Sequence, residues 1–242
     1  MKKITILAAA MMLSVSIYAA NSASGVTEEA SQPTTSSIGN TVVAKTPAPK
    51  VETKTDIQSP VGYWMTVSDD EVGGKPVVQS IVQIMNDPKD KSKLIGKILV
   101  PFVNVVDGEK QIPDVLCTHC TGDLKDKPVV GLQIITGAEK SGSADGSDGV
   151  TYKEGEIMDP SNGKTYTLKM WTEENGKELK VRGYIMFFYR TQTWYRVDAA
   201  DAQKYGAECG IASGAKSYKY VGADRKISNK DLWKTCSNIS KP

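Results

Sequence analysis

The most reactive side chains of this sequence belong to its four cysteines. Cys117 and Cys120 form a C-x-x-C pair, and His119, the single histidine of the chain, lies between them. The other two, Cys209 and Cys236, lie in the C-terminal part. Disulfides persist in proteins that leave the cytoplasm, and the start of this chain, described below, predicts export. We therefore expect two intramolecular bonds, Cys117–Cys120 and Cys209–Cys236.

Other chemistry is open to the Cys117–Cys120 pair. A thioredoxin-type redox motif needs a strand before it and a helix after it, because the helix N-terminus stabilises the thiolate. Here Pro113 precedes the pair and Gly122 follows it, which favours a loop and a structural bond. Zinc would need two further ligands, available only if the C-terminal cysteines fold onto this loop. Haem attachment is excluded, because Thr121 stands where that motif requires histidine.

The remaining candidate sites carry little chemical signal. Residues 141–149 are rich in Ser, Gly and Asp, but Asp145 and Asp148 lack the other ligands of a calcium loop, so we expect a flexible hairpin loop. No nucleophile elbow, phosphate loop or dinucleotide fingerprint occurs in the sequence. We therefore expect no enzymatic activity, no bound metal and no cofactor.

The first 22 residues have the order of a cleavable signal peptide. A lysine pair is followed by an apolar run at residues 4–17 and then by small residues. The run is shorter than the roughly 20 apolar residues that span a bilayer, and no second run follows, so we do not expect an integral membrane protein. The order predicts cleavage between Ala19 and Ser24 and a periplasmic or secreted location.

The segment that follows, residues 23–59, is built mainly from Ser, Thr, Ala, Pro and Val and contains no aromatic residue. Such a segment buries too little apolar area to offset the entropy of ordering it, which predicts a disordered tether. Removing residues 1–22 removes two lysines and no acidic residue, so 28 basic and 28 acidic side chains remain. A neutral chain lacks the excess of basic charge with which a protein binds nucleic acid or an anionic membrane surface.

Short strands with a period of two fill residues 60–198. The segments that show it are 77–85, 94–100, 164–171 and 177–185, and in the first of them both faces are apolar. In the second, the alternation predicts inward side chains at Leu94, Gly96, Ile98 and Val100. Asn-Gly dipeptides at 162–163 and 175–176 favour tight hairpin turns. We expect about eight antiparallel strands, closed into a barrel or folded as a sandwich.

Residues at the two ends of this region favour the barrel. Gly62 and Trp64 open the first strand, and Arg196 lies on the last. A Gly-x-Trp on the first strand with an arginine on the last resembles the closure of a lipocalin-type barrel, where the guanidinium lies over the indole. In the alternative interpretation, Trp64 is an ordinary core side chain and Arg196 a surface charge.

An ordered set of short motifs extends over residues 60–197: Gly62-Tyr63-Trp64, Cys117-Thr118-His119-Cys120-Thr121-Gly122, Lys127-Pro128-Val129-Val130-Gly131-Leu132, Gly155-Glu156-Ile157-Met158-Asp159-Pro160, Gly163-Lys164-Thr165-Tyr166, Leu179-Lys180-Val181-Arg182-Gly183-Tyr184 and Arg190-Thr191-Gln192-Thr193-Trp194. As a set they resemble the domain-of-unknown-function 2147 family, small exported proteins of Gram-negative bacteria. The resemblance implies a lipocalin-like barrel with an internal cavity and brings no catalytic residues. The sequence departs from the family pattern at residues 185–189, where a smaller, glycine-containing segment is more usual.

The C-terminal residues 199–242 are too few to form an independent core, so we expect an appendage packed on the barrel. Ser228 is placed to cap a short helix, with Asp231 completing a capping box. The predicted bond between Cys209 and Cys236 would staple this appendage. A flap that binds a protein partner is the alternative, and the sequence identifies no such partner.

Two main functions remain open. The first is an exported, non-enzymatic carrier or sensor that holds a small apolar molecule inside the barrel, between the inward side chains of Val82, Ile98, Leu168 and Val181. The second is an envelope interaction or structural module whose barrel is filled with side chains. Glycines on inward faces, Gly96 and Gly183, favour the first. A third, weaker interpretation is a thiol–disulfide redox protein that uses Cys117 and Cys120.

Overall fold

The computed structural model describes residues 58–72, 75–106, 109–142, 150–211 and 215–242. The predicted signal peptide, and all of the predicted tether except its last two residues, lie outside this part of the chain. The described strands are β1 (Gly62–Val72), β2 (Lys75–Asn86), β3 (Lys93–Pro101), β4 (Asn104–Val106), β5 (Glu109–Gln111), β6 (Gln133–Ser141), β7 (Thr151–Asp159), β8 (Lys164–Glu173), β9 (Glu178–Ile185) and β10 (Phe188–Val197). The helices are a 3-10 turn, Gly122–Leu124, and α1 (Ala199–Cys209) and α2 (Lys230–Ser237).

Eight of these strands form a closed antiparallel barrel in the order β1-β10-β9-β8-β7-β6-β3-β2. The ring closes because β1 pairs with both β2 and β10. Hairpin connections join consecutive strands of the barrel except β3 and β6, which are separated by residues 102–132 and the small β4–β5 hairpin. The prediction of an all-β antiparallel barrel of about eight strands is confirmed.

The two ends of the barrel differ. β1 begins and β10 ends at one end, which also carries the β2–β3 and β8–β9 turns, and we call it the closed end. The opposite end, the open end, carries the β7–β8 and β9–β10 turns and the described part of the β3–β6 connection, residues 102–106 and 109–132. The Asn-Gly dipeptides lie in four-residue connections, one at each end, and Gly163 and Gly176 have the positive φ that such turns require.

Side chains that point inward from the strands form a first core within the barrel. Its largest members are buried almost completely: Trp64, Ile84, Leu94, Ile135, Leu168, Met170 and Leu179. Leu168, which the sequence predicts to point inward, does so, and Met170 lies on the same face of β8. Alternation along these strands, interrupted by a few bulges, therefore produces a continuous apolar interior.

A second core lies outside the barrel wall, between β1–β3 and the C-terminal residues. Met65, Ile81 and Val100 pack there with Tyr218 and Tyr220. This packing explains why β2 is apolar on both faces, since its outward side chains are covered by the appendage and not by water. The predicted packing of residues 199–242 on the barrel is therefore present in the structure.

The expectation that Val100 points inward was wrong. In the pairing of β2 with β3, Ile81 is opposite Val100 and Val82 is opposite Ile98, so Leu99 is an extra residue in β3. A one-residue bulge reverses the face of every side chain beyond it. Val100 consequently joins the second core, where it is fully buried.

The predicted cap of the last helix was also wrong by one residue. Asn229 caps α2, and its side chain accepts a hydrogen bond from the backbone N–H of Leu232 at 2.9 Å. The backbone N–H of Ser228 instead donates to the carbonyl of Tyr220 at 3.1 Å. This hydrogen bond pairs Ser228 with the preceding loop and keeps it outside the helix, which begins at Lys230.

Candidate ligand cavity

A cavity of about 820 Å³ opens at the open end of the barrel. Its apolar surface comes from strands β3, β6, β7, β9 and β10, through Ile98, Ile134, Ile157, Met158, Val181 and Trp194. Its rim is polar and carries Asp114, His119, Arg190 and Arg225. The arrangement is an apolar chamber with a charged mouth, because inward side chains are apolar along the strands and polar where the strands meet the loops.

Two of the four predicted pocket residues line this cavity. Ile98 and Val181 lie on its surface, whereas Val82 and Leu168 are buried within the packed core, at 0% and 1% exposure. All four point inward, as the alternation predicts. Alternation gives the face of a strand but not the depth along it, and tilted strands place inward residues at different heights in a barrel.

The two inward glycines differ in what they leave open. Gly183 lines the cavity, and a Cβ built there would lie 3.2 Å from the Cβ of Tyr166. A Cβ at Gly96 would lie 3.0 Å from side-chain carbons of Ile135. The expectation that Gly96 leaves room for a ligand was therefore wrong, because the Ile135 side chain fills that space.

The Cys117–Cys120 loop forms one side of the rim. The two cysteines form a disulfide and are buried, at 1% and 4% exposure, with the sulfur of Cys120 3.7 Å from that of Met158. The loop lies on the β7–β8 turn, where a Cβ at Gly163 would come within 1.9 Å of the His119 carbonyl oxygen. Only a glycine at that position allows the two backbones to approach so closely.

The surroundings of this disulfide favour a structural role. A single turn of 3-10 helix, Gly122–Leu124, follows Cys120 where a thioredoxin-type motif has the N-terminus of an α-helix. The second disulfide, Cys209–Cys236, belongs to the outer core and not to the core inside the barrel. The tail therefore does not bring thiolates to the C-x-x-C loop, as a shared zinc site would require.

The closed end of the barrel brings together the three residues expected there. The Arg196 guanidinium lies 4.2 Å from the ring centroid of Trp64. It donates hydrogen bonds to the carbonyls of Gly176, Val61 and Ser59, at 2.5, 3.1 and 2.7 Å.

Gly62 makes this arrangement possible. Its φ is +142°, and a Cβ there would lie 2.8 Å from a guanidinium nitrogen of Arg196. The Gly-x-Trp pattern thus provides the space that the arginine occupies.

The closed end is also sealed by the last two residues of the segment predicted to be a tether. Gln58 accepts a hydrogen bond from Thr172 at 2.8 Å, and Ser59 accepts one from Arg196. The ordered region therefore begins before residue 60.

The rim contains polar side chains that the strand pattern did not identify as site residues. Thr66 and Ser80 face each other across β1 and β2, and their hydroxyls lie 2.7 Å apart. Arg225, from the C-terminal appendage, forms an ion pair with Asp114 at 2.7 Å. A sequence signal existed for the hydroxyls, because both interrupt an apolar phase near the open end of a strand. Arg225 reaches the rim only through the tertiary packing of the tail.

This chain matches the sequence profile of a family described as "Uncharacterized protein conserved in bacteria (DUF2147)" over residues 62–196. The match covers more than half of the chain. The chain belongs to this family. The matched region contains the barrel strands, except the last residue of β10, and the C-x-x-C loop. The helical appendage lies beyond it.

A solved structure is similar to part of this DUF2147 chain. Protein HP1028 from the human pathogen Helicobacter pylori, described as belonging to the lipocalin family, is similar with a TM-score of 0.43 and 16% sequence identity. The similarity covers 61% of this chain and 88% of that chain. No curated protein matches the sequence. Among the described residues, no helix has the length and apolar character needed to cross a membrane.

Proposed function

We propose that this protein is an exported, non-enzymatic carrier or sensor that holds a small, mainly apolar molecule in its barrel. The observation that carries the proposal is the 820 Å³ cavity with an apolar interior and a polar rim. Binding pockets for small molecules have volumes of about 300–1,000 Å³, mostly apolar walls and a few polar groups that fix orientation. The cavity has each of these properties.

The distribution of side chains supports a ligand with one polar end. The interior carries Ile98, Val181 and Trp194, which bury methylene groups favourably, at about 0.8 kcal/mol for each group removed from water. Arg190 and His119 lie at the rim, where a carboxylate or another polar group of the ligand would meet them. An amphipathic molecule would therefore enter with its apolar part first.

The burial of the first disulfide argues against the redox alternative. A thiol–disulfide enzyme needs an accessible sulfur for attack through a mixed disulfide, and Cys117 and Cys120 are 1% and 4% exposed. The filled-barrel alternative has less support than the carrier, because packed side chains occupy only part of the interior.

Two neighbouring positions on β10 test the proposal. Gln192 lines the cavity, whereas the hydroxyl of Thr193 accepts a hydrogen bond from Lys180 on the outer face. The probe is a polyene fatty acid that becomes fluorescent in an apolar site. We expect Gln192→Phe to weaken its binding by about tenfold or more, because the ring takes space that the ligand needs. Thr193→Phe, the matched control, should leave binding unchanged.

Native mass spectrometry of protein isolated from its own envelope complements this titration. A bound mass of lipid size that is present in the unsubstituted protein and absent from Gln192→Phe is the expected result. The carrier function is wrong if the protein binds no probe, or if both variants bind it as tightly as the unsubstituted protein.

A further inference from the structure

The β9–β10 turn exposes an unusual run of large apolar side chains at the rim of the cavity. Met186, Phe187 and Phe188 are 81%, 93% and 74% exposed, and Ile185 and Tyr189 on either side are 49% and 61% exposed. Contiguous exposed apolar groups on a soluble domain mark an interaction surface. We call residues 185–189 the apolar tip.

The backbone conformation of the turn disfavours a large side chain at one of these exposed positions. Ile185 pairs with Phe188, so Met186 and Phe187 form a two-residue hairpin connection. Met186 has a φ of +53° and Phe187 does not have a positive φ, and a two-residue turn of this kind favours Gly at the first position. The sequence therefore keeps a large apolar side chain where a small or polar residue would suit the fold better. Folding does not account for it, since the side chain is exposed.

The residues behind the apolar tip have the order found at a membrane interface. The rings of Tyr184 and Tyr189 lie side by side, with centroids 5.8 Å apart. The Arg182 guanidinium lies 4.5 Å from the centroid of the Tyr189 ring. At about 3.3 Å per residue, the tyrosines and this arginine lie within one or two residue steps of each other along the strands. An apolar end followed by tyrosine and then by arginine matches the change from acyl chains to headgroups.

Basic side chains near the apolar tip also support contact with an anionic membrane surface. Basic and acidic residues balance over residues 23–242, but the surroundings of the tip are locally basic. Arg182 and Arg190 lie on β9 and β10 close to the tip, Lys164 begins β8 at the same end of the barrel, and residues 179–197 contain no acidic side chain. Lys180 and Arg196 lie toward the closed end, where Lys180 pairs with Glu173 and Glu178, so they do not contribute to this charge. Basic side chains close to a bilayer attract anionic phospholipid headgroups.

We propose that the apolar tip docks the protein, open end first, on the surface of an anionic phospholipid bilayer. Met186, Phe187 and Phe188 insert among the acyl chains, while the Tyr184–Tyr189 pair and Arg182 lie at the headgroup level. The mouth of the cavity then faces the lipid. This docking goes beyond the proposed carrier function and does not depend on it, because it requires only the tip and its basic surroundings.

The test compares variants of the chain as it is isolated from cells, in co-sedimentation with phospholipid vesicles. The informative variant is Met186→Gly with Phe187→Asn, which removes two apolar side chains and places glycine at the one central position of the turn that has a positive φ. Its fold should be at least as stable as that of the unsubstituted protein. Leu124→Ser is the matched control, because Leu124 is an exposed apolar side chain, 38% exposed, on the Cys117–Cys120 side of the rim.

On vesicles containing phosphatidylglycerol, we expect the tip variant to bind at least about tenfold more weakly and the control to bind like the unsubstituted protein. Vesicles of phosphatidylcholine alone, or added salt, should also weaken binding by several-fold, because the headgroup attraction is electrostatic. These results do not involve the fatty-acid probe, so loss of docking and loss of the carrier function are distinguishable.

The docking proposal is overturned if the unsubstituted protein binds neither kind of vesicle, or if the folded tip variant binds as tightly as the unsubstituted protein. A third outcome also overturns it: in the absence of lipid, sedimentation shows a dimer that dissociates in the tip variant, and no vesicle binding occurs. In that case the tip contacts a second copy of this chain.

Discussion

The arginine at the closed end shows how one side chain organises several segments. Arg196 lies over Trp64 and donates to three carbonyls that belong to the β8–β9 turn and to the chain before β1. A planar fork with several donors can do this, whereas an ammonium group cannot satisfy the same set of acceptors. The closed end therefore depends on arginine in particular and not only on positive charge.

A double-mutant cycle tests this coupling. Trp64→Ala should lower the free energy of unfolding by about 3–5 kcal/mol through lost packing, and Arg196→Ala by about 2–3 kcal/mol through lost charge-assisted hydrogen bonds. Because the two side chains are in contact, the double variant should be less destabilised than the sum of the two. Denaturant titration measures each value.

Arg196→Lys is the control for charge. We expect it to lose most of the stability that Arg196→Ala loses, because the three carbonyls again lack donors. Strict additivity in the cycle, or full retention of stability with lysine, would contradict the role assigned to the guanidinium.

The buried tyrosines beneath the appendage give the protein a pH dependence. Burial raises the pKa of the Tyr218 phenol above its ordinary value and raises the pKa of Tyr220 to about 12. The rings of the two residues stack with centroids 5.5 Å apart. In the unfolded chain, a tyrosine loses its proton near pH 10. Between about pH 10 and 12 the unfolded state therefore binds fewer protons than the folded state, and stability falls as the pH rises.

The expected result is a free energy of unfolding that declines above about pH 10, with a shallower decline in Tyr220→Phe. The decline attributable to one such group is at most about 1.4 kcal/mol per pH unit. Tyr189→Phe, at an exposed tyrosine, is the control and should leave the slope unchanged. Equal slopes in the two variants would show that Tyr220 does not carry the effect.

At the scale of the elements, the appendage is held on the barrel by packing, and one disulfide joins its two helices to each other. Helix α1 buries Ala202 and Cys209, and α2 buries Cys236, so the disulfide lies within the second core. Helix α1 was not predicted from the sequence. Its apolar positions are few, and its stability comes from contact with the outer wall and not from its own amphipathic pattern.

The two disulfides should differ in what they contribute to stability. The Cys209–Cys236 bond has a sequence separation of 27, and removing it with paired serines should cost about 3–4 kcal/mol by chain-entropy reckoning. The Cys117–Cys120 bond has a separation of 3, and the same reckoning gives about 2 kcal/mol. Denaturant titration of the two paired variants measures the difference. A larger loss from the Cys117–Cys120 pair would indicate that the rim loop has a greater part in folding than the staple.

At the scale of the whole molecule, the location of the protein remains a prediction from its first residues. The lysine pair and the short apolar run predict export with cleavage, and both disulfides accord with an oxidising compartment. N-terminal sequencing of the protein isolated from the envelope should begin between Asn21 and Gly25. An intact Met1 in the membrane fraction would contradict cleavage and would change the geometry of docking.

The sequence determined the features that follow from local pattern. Alternation predicted the strands and most of their inward faces, turn residues predicted the hairpins, and four cysteines in a chain expected to be exported predicted both disulfides. The closed-end residues Gly62, Trp64 and Arg196 were also predictable from the sequence. A Gly-x-Trp on the first strand and an arginine on the last are recognisable by their positions alone. These signals act between residues that are close in sequence or on adjacent strands.

Tertiary structure decided the rest. The bulge at Leu99 turned Val100 outward, the Ile135 side chain filled the space beside Gly96, and Val82 and Leu168 were buried in the packed core, off the cavity surface. Arg225 reached the rim through the folded tail. Each outcome depends on how side chains distant in sequence share one volume. The two-residue period of a strand shows which face of the sheet a side chain is on. It does not show which side chains from other strands or from the tail fill the space next to it.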